Sequence, residues 1–240
     1  MPAPPLLITI DGPAGAGKTT VSKMLARRLG YTYVDTGALY RGVALAAFDS
    51  GTPADDEDAL RSLCRGLTIG FTRGPDGNSR LLLDGKDVTD SIRVHKISML
   101  ASAISARAVV RRFLLDLQRD MGKRRAAVFE GRDMGTVVFP DADVKFFLVA
   151  DLKTRALRRY RELGPGAGSM ERVRADMARR DANDSSRPLA PLKPAPDAVR
   201  IDSTRLSAKQ VVEEMIDTVR VVEERRRSER RRSAARRCAE

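Results

Sequence analysis

A glycine-rich motif near the N-terminus has the residue types and the spacing of a phosphate-binding loop. The segment Gly12-Pro-Ala-Gly-Ala-Gly17-Lys18-Thr19 matches the pattern G-x4-G-K-[ST]. Its glycines let backbone N–H groups wrap phosphates, Lys18 can neutralise phosphate charge, and the Thr19 hydroxyl can bind Mg²⁺. The alternative is a glycine-rich turn with an incidental lysine. The predicted nucleotide-binding residues are Gly12, Pro13, Ala14, Gly15, Ala16, Gly17, Lys18, Thr19 and Thr20.

The elements around this motif favour a nucleotide site over an incidental turn. Residues 6–10 form a short apolar, β-favouring run. Apolar residues from Val21 to Leu29 then recur at helical spacing, and Gly30 is a helix stop signal. The motif therefore lies between a predicted strand and a predicted helix, which is the context that a phosphate loop requires.

Further strands alternate with helices along the chain. The other predicted core strands are the short apolar runs at 31–35, 126–130, 144–150 and 198–202. This alternation predicts an α/β fold with a parallel sheet flanked by helices. Ligands of such sheets bind at the carboxyl ends of the strands. Asp11, Asp35, Glu130 and Asp151 all follow apolar runs and are therefore candidate site positions.

Two segments between the core strands have the character of insertions. Residues 67–72 and 80–84 flank a Gly-Pro-Asp-Gly-Asn turn and predict a β-hairpin, and residues 92–121 predict two helices. The later segment, 151–187, is polar and Arg-rich, and glycines at 164–168 interrupt it. We interpret these glycines either as flexible joints or simply as a loop.

Arginines follow two of the predicted strands and suggest a second anion site. Arg41 lies in Asp35-Thr-Gly-Ala-Leu-Tyr-Arg41, and Arg132 lies in Glu130-Gly-Arg132-Asp133. Two arginines that converge from adjacent strand ends could hold a phosphate as a bidentate clamp. In so Arg-rich a chain, either one could also be a surface residue.

Motifs that the chain lacks narrow the class of nucleotide enzyme. Neither an Asn-Lys-x-Asp base-reading string nor an Asp-x-x-Gly switch string, which a GTPase normally carries, occurs in the sequence. A motor ATPase usually needs a longer chain and an aspartate–glutamate hydrolysis site. A small kinase fits best, because it needs only a second substrate and a cover that excludes water.

The chain resembles the bacterial cytidylate kinases from about residue 6 to about residue 222. The resemblance is carried by Ile-Asp-Gly-Pro-Ala-Gly-Ala-Gly-Lys, Asp-Thr-Gly-Ala-Leu-Tyr-Arg, Glu-Gly-Arg-Asp-Met-Gly-Thr-Val-Val-Phe-Pro-Asp and Arg180-Asp181-Ala-Asn-Asp184-Ser-Ser-Arg187. It implies an ATP-dependent phosphotransferase for CMP and dCMP that uses Mg²⁺. The implied fold is a P-loop kinase with a five-stranded parallel sheet, a small nucleoside-monophosphate (NMP) binding insertion that contains a β-hairpin, and a short lid.

The resemblance also implies a division of the chain into segments. It gives one kinase domain over 1–222, with core segments at about 1–36, 114–150 and 188–222. The NMP-binding insertion then covers about 37–113 and the lid about 151–187, and an Arg-rich tail follows at 223–240.

By matching position, the resemblance assigns roles to individual side chains. Arg41, Arg132 and Arg187 would hold the monophosphate; Ser102, Arg111 and Asp133 would read cytosine; Arg180 and Asp184 would hold the ribose; Thr36 and Tyr40 complete the substrate site. Catalysis would use Lys18, Arg132 and one of the lid arginines Arg155, Arg158 and Arg159, with Thr19 as the metal ligand.

Two of these assignments have alternatives. The segment Ser105-Ala-Arg-Ala-Val-Val-Arg111 lacks the proline often found before the base-reading arginine, so Arg107 competes with Arg111 for that role. Asp133 could instead be an ordinary helix N-cap. A carboxylate suits cytosine because it accepts from the N4 amino group, whereas the O4 atom of uracil would be repelled.

The net charge of +12 has two separate sources. Residues 225–237 hold eight arginines and one glutamate, a net +7, which leaves +5 for the rest of the chain. We expect this tail to extend the last amphipathic helix or to be disordered; the alternative is binding to nucleic acid or an acidic partner, which the core itself does not favour. Two cysteines, one histidine and no long apolar run predict a cytoplasmic protein with no zinc site and no membrane segment. We expect a monomer, although none of these features determines the oligomeric state.

Overall fold

The computed structural model describes residues 5–74, 79–164 and 168–237, without the side chains of Arg231 and 233–237. The tip of the predicted hairpin, most of the glycine-rich interruption and Cys238 lie outside the described residues. The strands are β1 Leu7–Asp11, β2 Thr32–Asp35, β3 Ile69–Arg73, β4 Ser79–Leu83, β5 Lys86–Asp87, β6 Ala127–Glu130, β7 Val144–Val149 and β8 Val199–Asp202.

The core is a five-stranded sheet in the order β2-β6-β1-β7-β8, and every neighbouring pair is parallel. β1 is central, with Ile8 opposite Val128 on one side and Val144 on the other. All five residues of β1 are buried because helices cover both faces, which is why the strand is a continuous apolar run rather than an alternating one. This confirms the fold class that the sequence predicts.

Eight helices flank the two sheets within the described residues. They are α1 Lys18–Leu29, α2 Thr36–Asp49, α3 Glu57–Gly66, α4 His95–Ile104, α5 Ala108–Gly122, α6 Leu152–Leu163, α7 Met170–Ser186 and α8 Ala208–Arg237. A short 3-10 turn covers Ser91–Arg93, and a π-helical turn covers Met134–Val138. The expected pair of helices within 92–121 is present as α4 and α5, whereas the sequence analysis missed α3, which begins at the N-cap Asp56.

The predicted hairpin is present as β3 and β4, and the short strand β5 extends it into a three-stranded antiparallel sheet. This small sheet packs on α2 through a close approach. A Cβ atom on Gly42 would lie 2.5 Å from the Cδ1 atom of Ile69, so a larger residue there would displace the Ile69 side chain. The insertion therefore has its own apolar core beside the main sheet.

The last helix, α8, packs its first half on the core and continues to Arg237 without a break. Val211, Met215 and Val219 are buried against β1, β7 and α1. The helix crosses the predicted start of the tail, and Arg226 forms an ion pair with the buried Asp143. Among the residues that the structure describes, no helix combines the length and apolar composition of a membrane span.

Candidate active site

The phosphate loop (Gly12–Thr19) connects β1 to α1 at the carboxyl edge of the sheet. Gly12 has φ 145°, and a Cβ atom there would lie 2.0 Å from the Leu148 carbonyl oxygen, so glycine is required. Gly17 caps α1 in the left-handed region with φ 95°, which leaves the first N–H groups of the helix without a side-chain acceptor. Such free N–H groups at a helix N-terminus are suited to bind phosphate oxygens.

Lys18 is the first residue of α1, and its ammonium group lies inside the loop rather than in solvent. The side chain is buried, and its Nζ atom donates to the Pro13 carbonyl oxygen at 2.8 Å. Burial, together with the positive charges of Arg132 and Arg180, lowers the pKa of Lys18 to about 7. An anion in this loop would reverse that shift by stabilising the charged form.

Glu130, the last residue of β6, faces the phosphate loop across the sheet edge. Its two carboxylate oxygens accept hydrogen bonds from the Thr19 hydroxyl and the Tyr33 hydroxyl, each at 2.7 Å. Burial and the neighbouring Asp35 raise the pKa of Glu130. The sequence analysis marked Glu130 as a strand-end position but assigned it no role. The sequence signal that could have assigned Glu130 to the site was its position directly after a buried strand.

Thr19 and Glu130 offer the oxygen donors that a divalent cation prefers. The Thr19 hydroxyl and the Glu130 carboxylate lie 2.7 Å apart beside the phosphate loop, which fits Mg²⁺ as it would arrive with a nucleotide. Within the described part of the chain, no cluster of three or more His, Cys, Asp or Glu side chains could hold a metal ion by itself. These residues therefore fit a metal that is shared with phosphate oxygens.

A second polar cluster surrounds Asp133, which lies between β6 and the π-helical turn. Arg111 of α5 donates to its Oδ2 atom, and Arg187 lies 3.6 Å from its Oδ1 atom. The Asp133 side chain makes no capping hydrogen bond, so the structure does not support the N-cap alternative. Burial raises the pKa of Asp133 against the opposing effect of the two arginines.

The structure brings Arg111, rather than Arg107, to this carboxylate. Arg107 is the N-cap residue of α5, and within the described part of the chain its buried Nε atom has no hydrogen-bond partner. Arg111 also donates to the Ser105 carbonyl oxygen at 3.2 Å and lies 5.8 Å from the Tyr40 ring centroid. This geometry favours Arg111 for the predicted role beside Asp133.

Ser102 lies on α4 next to this cluster, and its carbonyl oxygen accepts from the Ser105 hydroxyl. The same Ser105 hydroxyl accepts from Arg187 at 3.3 Å. Ser105 therefore links α4 to the Asp133 cluster. The sequence analysis assigned no role to Ser105.

Arg132 and Asp184 connect the end of β6 to α7. The Nε atom of Arg132 lies 3.0 Å from the Oδ2 atom of Asp184. Burial opposes ionisation of Asp184, but the charges of Arg132, Arg180 and Arg187 exceed that effect and lower its pKa. One carboxylate therefore interacts with three arginines, so positive charge exceeds negative charge around Asp184.

Arg180 shows that excess most clearly. Its side chain is half-buried, and its buried Nε atom has no hydrogen-bond partner among the described residues. Desolvation of the guanidinium and the repulsion of Arg132 lower its pKa to about 10. A buried guanidinium nitrogen without an acceptor is costly unless an oxygen of a ligand completes its hydrogen bond.

Arg41 and Thr36 occupy the first turns of α2. Arg41 forms an ion pair with Asp35 at 2.8 Å, and the Thr36 hydroxyl donates to the Glu130 carbonyl oxygen at 2.7 Å. Asp35 itself caps α2 by accepting from the Ala38 N–H. The structure thus holds Arg41 at the same sheet edge as Arg132, as the sequence analysis expects for a clamp.

The three arginines of α6 differ in what they contact. Arg155 donates to the carbonyl oxygens of Ala150 and Ala14 and pairs with Asp181 at 2.6 Å. Arg158 donates to the Ser203 and Ala16 carbonyl oxygens. Both therefore support the phosphate loop from behind. Arg159 pairs only with Glu162, one turn later on the same helix, among the contacts described.

A cavity of about 210 Å³ opens between α4, α7 and the phosphate loop. Ala14, Ser98, Arg159 and Arg180 are among the residues that line it. The cavity thus lies beside Ala14 of the phosphate loop and beside Arg180. Of the predicted substrate residues Arg180 lines it, whereas Arg41, Arg132, Asp133 and Arg187 do not.

The parallel sheet, the phosphate loop at its edge and the cation-rich site opposite define the chain as a P-loop kinase. The family model of the cytidylate kinases matches residues 8–221. The chain therefore belongs to the cytidylate kinase family.

Individual relatives named as cytidylate kinases align with this chain over nearly their whole length. A cytidylate kinase from Geobacter sulfurreducens is 52% identical over 217 residues, which cover 90% of this chain and 93% of the relative. A cytidylate kinase from Chlorobaculum tepidum is 42% identical over 228 residues, covering 92% and 95% respectively. Among solved structures, a shikimate kinase from Acinetobacter baumannii aligns with a TM-score of 0.45 at 15% identity, covering 89% of this chain and 93% of that one.

Proposed function

We propose that this chain transfers the γ-phosphate of ATP to CMP or dCMP, giving ADP and CDP or dCDP. Family membership supports this reaction. The structural observation that carries it is the surplus of buried positive charge between the phosphate loop and α7. Lys18 and Arg180 both have lowered pKa values, because each is buried and lies near Arg132. Two phosphate-rich substrates are the ligands that would neutralise that surplus.

The phosphate loop is the site for the donor nucleotide. The free N–H groups at the start of α1 would bind the β- and γ-phosphates, and Lys18 would neutralise the charge that develops on the transferred group. Arg155 and Arg158 hold the loop through the Ala14 and Ala16 carbonyl oxygens. The donor site is thus fixed before the substrates arrive.

Thr19 and Glu130 are the residues that would hold Mg²⁺ beside these phosphates. When bound, Mg²⁺ would supply charge neutralisation across the donor phosphates. The Thr19 hydroxyl donates a hydrogen bond to the Glu130 carboxylate, so the two candidate metal ligands lie side by side.

The acceptor monophosphate would be held by Arg41, Arg132 and Arg187, with Arg180 and Asp184 at the ribose. A phosphate monoester is already an anion, so it attacks the γ-phosphate in line and needs no strong general base. Most of the catalysis then comes from alignment and from charge neutralisation. Arg180 lines the cavity beside the donor loop, whereas Arg41, Arg132 and Arg187 lie outside its lining.

Asp133 would select the base. Held between Arg111 and Arg187, it presents a carboxylate that can accept from the cytosine N4 amino group. Uracil presents O4 at the same position and would face the carboxylate with an acceptor.

Helices α6 and α7 would form the cover over the two substrates. They contact the phosphate loop through Arg155 and line the cavity through Arg159 and Arg180. Exclusion of water from the transferred phosphate would suppress ATP hydrolysis.

A coupled assay of ADP formation with CMP, dCMP, UMP and AMP tests the proposal. We expect CMP and dCMP to be the best acceptors. Faster turnover of UMP than of CMP would contradict the role of Asp133. A nucleic-acid-stimulated ATPase, the rival function from another class, would instead show ATP hydrolysis that rises when RNA or DNA is added. The division into core, insertion and lid, the cytoplasmic location and the monomeric state stay predictions.

A further inference from the structure

Asp11, the last residue of β1, joins the donor and acceptor sides of the site through backbone hydrogen bonds alone. Its Oδ1 atom accepts from the Met134 N–H at 2.9 Å, and its Oδ2 atom accepts from the Gly135 N–H at 2.8 Å. Both donors belong to the π-helical turn that directly follows Arg132 and Asp133. The next residue after Asp11 is Gly12, the first residue of the phosphate loop.

We propose that Asp11 is a positioning residue that fixes the distance between the phosphate loop and the acceptor turn (Gly131–Val138). The inference rests on the proposed kinase function. In it, Asp11 touches neither substrate but holds the backbone that presents Arg132 and Asp133.

The chemistry of the contact explains why an aspartate occupies this position. Two parallel backbone N–H groups need two acceptor oxygens in a fork, and a carboxylate provides both. An asparagine provides one acceptor and would direct its amino group at the second N–H. The turn has no other side-chain cap, because the Asp133 side chain is engaged with Arg111.

The turn is also pressed closely against the sheet. A Cβ atom on Gly135 would lie 3.1 Å from the Thr9 Oγ1 atom and 3.2 Å from the Lys145 Cδ atom. The Gly131 N–H donates to the Ile10 carbonyl oxygen at 3.1 Å, so the start of the turn is tied to β1 as well. Asp11 therefore holds a turn that has little space in which to shift.

Stability alone does not favour an ionised group here. Burial raises the pKa of Asp11 to about 6, even though the two backbone N–H groups act in the opposite direction. Because folding raises this pKa, the native state loses stability as the pH rises from 3.8, where the unfolded chain ionises, and the loss is complete above about pH 6. A charge kept at such a cost fits a role in geometry rather than in stability.

The test compares Asp11→Asn with the wild-type protein in steady-state kinetics with CMP, together with the Kd of a non-hydrolysable ATP analogue and the Tm. We expect kcat to fall about tenfold to a hundredfold, because small misplacements of reacting groups have effects of that size. The Kd for the ATP analogue and the Tm should change little. The preference for CMP over UMP should also fall, because the Asp133 backbone moves.

The matched control is Asp143→Asn. Asp143 is another buried aspartate that accepts from a β1 backbone N–H, that of Leu7 at 2.6 Å, but it lies at the opposite end of the strand. This variant should lower the Tm and leave kcat near the wild-type value. If Asp11→Asn lowers Tm and leaves kcat near that value too, the positioning role is wrong.

A second variant covers the case in which Asp11→Asn does not fold. Asp11→Glu keeps the carboxylate but lengthens the side chain by one methylene, so the turn must move away from β1 and kcat should fall in the same way. Unchanged kcat in that variant would overturn the inference. Absence of CMP phosphorylation by the wild-type protein would instead overturn the proposed function, and the inference with it.

Discussion

Individual side chains in this site carry charge that the protein itself does not neutralise. Arg132 shares Asp184 with Arg180 and Arg187. Burial, together with the charges of Arg132 and Arg180, lowers the pKa of Lys18 to about 7. Such an arrangement destabilises the free protein and favours the bound state, because substrate phosphates supply the missing negative charge. The predictions at the residue scale therefore concern the charges of single side chains.

Arg132→Ala should lower kcat/KM for CMP about a hundredfold or more, which corresponds to about 2.7 kcal/mol of transition-state stabilisation. The reason is that Arg132 is the cation placed between the phosphate loop and Asp184. Steady-state kinetics measure the effect, and Arg112→Ala, at an exposed position of α5, is the control. A near-normal Arg132 variant would remove this residue from the site.

ATP binding at pH 8 should take up close to one proton per site. Free Lys18, with a pKa near 7, is mostly neutral at that pH, and bound phosphates favour its charged form. By the same linkage, the lowered pKa of Lys18 reduces the folding stability of the nucleotide-free protein. This loss of stability is complete below pH 7 and disappears as the pH rises towards 10.5, because the unfolded chain keeps the proton up to a higher pH.

Titration calorimetry in two buffers of different ionisation enthalpy measures the proton uptake. Lys18→Met should abolish the difference between the buffers. Equal binding heats in both buffers for the wild-type protein would contradict the assignment.

Asp133→Asn should reduce the preference for CMP over UMP. The amide offers a donor as well as an acceptor, so it no longer repels the O4 atom of uracil. The ratio of kcat/KM for the two nucleotides measures the change, with Asp116→Asn on the exposed side of α5 as control. An unchanged ratio would place base selection elsewhere.

At the scale of elements, the site depends on how α6, α7 and the π-helical turn are tied to the sheet edge. Arg155 and Arg158 attach α6 to the back of the phosphate loop, whereas Arg159 lines the cavity. The lid arginine that acts on the transferred phosphate is therefore expected to be Arg159. The other two should act through the loop.

Arg158→Ala and Arg159→Ala should separate these roles. Loss of the Arg158 hydrogen bonds to Ser203 and Ala16 is expected to cost about 1–2 kcal/mol and lower the Tm by a few degrees, with a higher KM for ATP. Arg159→Ala should instead lower kcat about tenfold with little change in Tm. Thermal unfolding and kinetics on both variants measure this, and the reverse pattern would exchange the two roles.

At the scale of the whole molecule, the charge of the chain is distributed between a site and a helix extension. The extension of α8 beyond Val222 has no large apolar residue to pack, yet Arg226 contacts Asp143 together with Arg125. This contact ties the root of the extension to the end of the sheet opposite the active site. The proposed kinase reaction assigns no role to the residues that follow.

Two truncations should separate the root from the rest of the extension. A chain that ends at Arg226 should keep both CMP phosphorylation and Tm. A chain that ends at Val222 should keep activity but lose a few degrees of Tm, because Asp143 then retains only one arginine. Activity assays and thermal unfolding on the two proteins measure this. Loss of activity in either would favour a function for the tail, and binding to RNA or DNA would then be examined.

The sequence by itself determined the alternation of strands and helices, the phosphate loop and the resemblance that links Arg41, Arg132 and Arg187. These features are local: a motif of eight residues or a single apolar run contains its own signal. Four features came only from the tertiary structure. Arg111 rather than Arg107 contacts Asp133, and Asp133 pairs with arginine instead of capping a helix. Glu130 contacts Thr19 and Tyr33, and Arg155 supports the phosphate loop. Each joins residues far apart in the chain; Thr19 and Glu130, for example, are separated by 111 in residue number. Helical spacing cannot say which of two arginines on one helix meets a partner on another element, because packing of the whole sheet edge decides it.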